Sequence, residues 1–125
     1  MEYDNRELKA RLADKLGLGK KAAEGLFDDL KRFLWLCGAY EGSLLRPPPK
    51  IDAAWHEFIL YTRDYAAFCD EMLGGFIHHK PDSYFGTLAR TRNVNAAVLA
   101  AKHFTNLGKN WDHRKSGANK CCNGS

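Results

Sequence analysis

Long apolar runs are missing from this 125-residue chain. No stretch approaches the ~20 uninterrupted apolar residues that a bilayer crossing needs, so no membrane span is expected. The N-terminal MEYDNRELKARLADK is charged and helical in pattern, unlike a secretory signal, and the cytosol is the expected compartment. Cysteine is scarce. Cys37, Cys69, Cys121 and Cys122 are too few and too irregularly spaced for the disulfide framework of a secreted mini-protein, which leaves reduced thiols or ligands. There is no glycine-rich phosphate loop, no GxSxG elbow, no HExxH and no CxxC pair, so the common catalytic signatures are absent. No alternating strand pattern and no internal repeat can be found.

What is present is enough apolar material for one core. A chain with 45% hydrophobic and 12% aromatic residues is one globular domain, since two would each be too small to stand alone. Charge is uneven: residues 1–79 hold 11 Lys/Arg against 13 Asp/Glu, and residues 80–125 hold 8 against 2.

Leu8, Leu12 and Leu16 recur at the four-residue spacing that stacks side chains on one helix face, which predicts a helix over residues 5–16 closed by Gly17 and Gly19. A second is predicted over residues 20–39. There Ala23, Leu26, Phe27, Leu30, Phe33, Leu34 and Cys37 form the apolar stripe, and Asp28, Asp29, Lys31 and Arg32 fall on other faces. Pro47, Pro48 and Pro49 impose an extended connector, after which Asp52 favours a helix start. Residues 52–73 are predicted to be the central helix. Trp55, Phe58, Thr62, Tyr65, Cys69 and Met72 make one broad stripe, Ile59, Leu60 and Ala67 lie on another side, and Gly74-Gly75 stops the helix. A last helix is expected within residues 83–107, capped by Ser83, with Val94, Val98, Leu99, Ala101 and Phe104 on its apolar face. The expected fold is therefore all-α, a single domain of about four main helices around the central one. It spans residues 1–108, with 109–125 a basic tail lacking periodicity, for which flexibility is the expectation.

Residues 51–81 concentrate the chemistry, placing Trp55, His56, Cys69, His78 and His79 among many aromatics. The pattern Asp52, Trp55-His56, Ile59-Leu60, Tyr65, Cys69, Gly74, Phe76, His78-His79, Pro81 resembles the helical core shared by the glycine-rich domain-containing proteins of plants and their shorter bacterial relatives. The likeness extends faintly to Tyr84, Thr87 and Trp111, and the glycine-rich tail that names that family is missing. It implies the helical core and brings no catalytic residue with it.

Two function classes then compete. The first is a non-enzymatic binding or interaction module with a structural metal site, drawn from His56, Cys69, His78, His79, Cys121 and Cys122, since imidazole and thiolate suit zinc or another transition metal. Asp52, one turn before His56, is placed to orient its imidazole. Two spacings bear on this set. His56 and Cys69 lie about 140° apart around a straight helix, and both face one ion only if that helix breaks near residues 62–64. His78 and His79 are adjacent, so an extended path turns one of them away from His56. Each residue also has a plain packing role, Cys69 as a small buried hydrophobe above all. The second class is a nucleic-acid or acidic-partner binder, in which Arg90, Arg92, Lys102, Lys109, Arg114, Lys115 and Lys120 with Trp111 form a positive surface. An enzyme built on Cys69, His56 and Asp52 ranks third, since no oxyanion-hole signature accompanies the trio. The first class implies a protein partner, and the second a nucleic acid or an acidic protein.

Overall fold

The computed structural model describes residues 2–40, 44–79 and 93–112. Leucine spacing and two turn glycines account for its first half. Helix α1 (Arg6–Leu16) is capped by Asn5, whose side-chain oxygen accepts from the Leu8 N–H at 3.0 Å, and it buries Leu8 and Leu12. It ends at Gly17, whose φ of 65° is a conformation that side chains resist. Helix α2 (Lys20–Ala39) buries the predicted stripe from Ala23 to Leu34, with Leu36, and leaves Cys37 half-buried.

Two charged residues of α2 depart from the reading above. Asp29 and Lys31 are buried rather than solvated. Lys31 reaches back to the N-terminal segment, donating to the Tyr3 carbonyl at 2.6 Å and lying over the Phe27 ring. Asp29 accepts from Arg32 at 3.0 Å and from the Asn110 side chain at 3.0 Å. A buried charge is tolerable only when so partnered. Arg32 is a neighbour on the same helix, but Tyr3 and Asn110 lie 28 and 81 residues from the charges they hold, beyond the reach of any helical periodicity.

The proline connector carries strand β1 (Leu44–Arg46) and leads into helix α3 (Pro49–Ile59), with Pro49 in the first helical turn, where its missing N–H costs nothing. The single helix expected over residues 52–73 is broken. After α3, the Leu60 and Tyr61 amides turn back to Glu57 and Phe58 in a tightened last turn, and helix α4 (Thr62–Phe68) begins anew. A π-helical turn (Cys69–Leu73) continues it to Gly74, at φ 78°. The buried side is Ile51, Ala54, Trp55, Phe58, Tyr65, Phe68 and Cys69. Leu60, Thr62 and Ala67 are exposed, so the segment is buried on one side rather than all round.

Strand β2 (Asn93–Asn95) pairs in parallel with β1, Leu45 opposite Val94. Residues 93–95 were expected to be helical and no strand was foreseen. Three residues are too few for alternation to register, and the partner lies far away in sequence. Helix α5 (Ala96–His103) follows, and the Ser83 start lies outside the described residues. A 3₁₀ turn (Lys109–Trp111) then packs on α2 and α3 and buries Trp111, so the packed chain runs past Gly108. The molecule is one all-α domain with a single core, and α2 and α3 share its centre. No helix among the described residues is long and apolar enough to cross a membrane.

Candidate metal centre

Asp52 and His56 lie four residues apart on α3, so their side chains share one face. The third member comes from elsewhere. Residues 74–79 leave the π-helical turn and return to α3, delivering His79 to the same point. His79 Nε2 lies 2.6 Å from Asp52 Oδ1, and His56 Nε2 lies 3.8 Å from the same oxygen. The two imidazoles stand 4.4 Å apart, centre to centre. One ligand atom from each of the three residues falls within 4.8 Å of the others. His79 is mostly enclosed, at 18% side-chain exposure, and His56 is open, at 57%. The cluster thus has a protein side and a solvent side.

Behind it stands the core. Successive α3 residues both touch His79: His56 from the open side, and buried Trp55 edge-on at 4.6 Å. The Trp55 indole N–H donates to the Tyr65 hydroxyl at 2.9 Å, and that hydroxyl donates to the Ile77 carbonyl at 2.5 Å. Burial pushes the Tyr65 hydroxyl far above its ordinary value, outweighing the indole donor that pulls the other way.

Of the expected ligands, the structure brings together His56 and His79 and adds Asp52 itself, foreseen only as an orienting group. Cys69 is not among them. The helix does break just before Thr62, yet Cys69 stays fully buried on the core side of the π-helical turn. His78 faces away, exposed against the Phe76 ring at 4.8 Å, as adjacent residues of an extended segment must. Cys121 and Cys122 lie outside the described residues. So do Arg90, Arg92, Arg114, Lys115 and Lys120 of the basic surface. Lys102 and Lys109 are exposed, and Trp111 is buried at 3%, which removes it from any binding face. Sequence reasoning missed the hydrogen bonds that the Tyr65 hydroxyl makes to Trp55 and to the Ile77 carbonyl. Only the presence of a polar aromatic on a buried stripe hinted that its hydroxyl needed partners.

A family model described as UCP032817-like matches residues 2–115. No curated protein and no solved structure matches the chain.

Proposed function

The chain belongs to the UCP032817-like family, and within that membership we propose that it is a non-enzymatic binding module whose Asp52, His56 and His79 hold a transition metal. The observation that carries this reading is the convergence of both imidazoles on one Asp52 oxygen. Two ligands at ~2.0–2.1 Å from a tetrahedral ion stand about 3.3 Å apart. The two Asp52-to-histidine separations, 2.6 and 3.8 Å, fall on either side of that value, so small side-chain rotations seat an ion. Two imidazoles and a carboxylate suit zinc and its neighbours among the divalent transition metals. Three protein ligands leave a fourth position, open where His56 is exposed, for water or for a donor from a partner protein.

The kinship with the glycine-rich domain-containing proteins is part of the same proposal. Its support is that Asp52, Trp55, His56 and His79, four positions of the shared pattern, meet at one place. A cytosolic location and a protein partner complete the reading, supported by the Cys69 side chain standing as a thiol in the core.

Protein purified without a metal-affinity tag should carry, or take up in calorimetric titration, one equivalent of zinc. His56→Ala and His79→Ala should each weaken binding by at least tenfold with the helical circular dichroism intact. Stoichiometric binding that survives both substitutions, or none in the parent protein, would overturn the assignment.

A further inference from the structure

His79 is the one group of the site that does not come from α3, so something must hold residues 74–79 at the height where its ring meets Asp52. We propose that Tyr65 is the positioning residue of this centre, pinning the segment through the Ile77 carbonyl. The inference rests on the metal reading for its consequence, but the geometry it explains exists without an ion.

The segment has few other holds. Gly74, Gly75, Phe76 and His78 are exposed, and the Phe76 side chain is 51% accessible. Near its start the Gly75 N–H donates to the Cys69 carbonyl at 3.2 Å. From Phe76 to His79, among the described residues, its backbone is tied to the core at one atom, the Ile77 oxygen, which accepts from the Tyr65 hydroxyl. Ile77 and His79 are two apart, so in an extended path they face the same way. Fixing the Ile77 carbonyl therefore fixes the side on which His79 emerges.

Tyr65 is itself held on three sides. Its ring is buried at 1%, edge-on to Phe58 at 5.1 Å and to Phe76 at 5.2 Å. Its oxygen receives the Trp55 N–H, which orients the hydroxyl so that its one proton points at Ile77. Trp55 then closes the circuit by laying its indole edge against the His79 ring. A donor chain that begins and ends beside the same imidazole makes the core, rather than the exposed segment, the part that sets ligand geometry. Groups that orient metal ligands in this way typically change affinity by 10–100-fold when removed.

Tyr65→Phe isolates the hydroxyl, since the ring and its packing remain. In metal-free protein, the nitrogen-15 resonances of the His79 ring and the Trp55 indole N–H should show the His79 contact with Asp52 lost or averaged. In zinc titration the dissociation constant should rise about tenfold. Ile51→Val serves as the comparison, because it loosens the same core and leaves the hydrogen-bonded chain from Trp55 through Tyr65 to Ile77 in place. A merely structural role for Tyr65 would lower the melting temperature in both variants and leave the zinc constant and the His79 resonances in place. Retention of the His79 contact in metal-free Tyr65→Phe would overturn the proposal. If the parent protein takes up no zinc, the metal reading falls, and the His79 resonances still decide the role of Tyr65.

Discussion

Tyr65 shows how much one oxygen can be asked to do. It accepts from Trp55 and donates to Ile77, so both its acceptor and its donor capacity are used in a place from which water is excluded. The same enclosure has a thermodynamic signature. Burial raises the hydroxyl above the ordinary tyrosine value near 10, so the folded state keeps a proton that the unfolded chain gives up in alkali. Stability is then fully present below about pH 10 and falls as pH rises beyond it, because there the unfolded state binds fewer protons than the native one. Urea titrations from pH 8 to 11 should show a drop in unfolding free energy that is shallower in Tyr65→Phe. Equal slopes in the two proteins would count against enclosure of the hydroxyl. Half-buried Tyr3 works in the same direction through its own desolvation and contributes to the slope left in the variant.

At the scale of elements, the interruptions matter more than the helices. The step at Leu60 and Tyr61 carries neither glycine nor proline, and nothing in the local sequence marks it. The close at Gly74 is different. Its φ of 78° is set against open space for a β-carbon, so the need for glycine there is purely one of backbone conformation. Gly74→Ala should cost about 1–2 kcal/mol in urea unfolding, the usual penalty for a side chain in the left-handed region. An unchanged midpoint would mean that the turn re-forms another way. The Gly74-Gly75 stop was legible in the sequence because glycine pairs end helices for this reason. The site it leads to was only half legible. His56 and Asp52 could be paired from their four-residue spacing, but which of His78 and His79 would face them depended on where Tyr65 pins the segment.

Across the whole molecule, α2 acts as the clasp for both ends of the described chain. Lys31 holds the backbone at Tyr3, and Asp29 holds the side chain of Asn110, next to buried Trp111. Trp111 brings a large apolar surface to the join between α2 and α3, although its indole N–H has no partner among the described residues. A chain ended at Gly108 should accordingly lose about 3–5 kcal/mol, the range for deleting a large buried aromatic, measured by urea unfolding against the full chain. Stability indifferent to that truncation would show that the 3₁₀ turn merely rests on the core.

The helical class, the limits of α1 and α2, the proline connector and the concentration of metal-capable residues in residues 51–81 were determined by the sequence itself. Each depends on neighbours within one or two turns, and local spacing reports such neighbours faithfully. Tertiary structure alone decided that Asp29 and Lys31 go inside, that residues 93–95 leave the helical path to pair with residues 44–46, and that His79 rather than His78 completes the cluster with Asp52. These outcomes depend on groups separated by tens of residues. A buried charge, a three-residue strand or a convergent imidazole is stable only when its distant partner arrives, and no local pattern encodes that arrival.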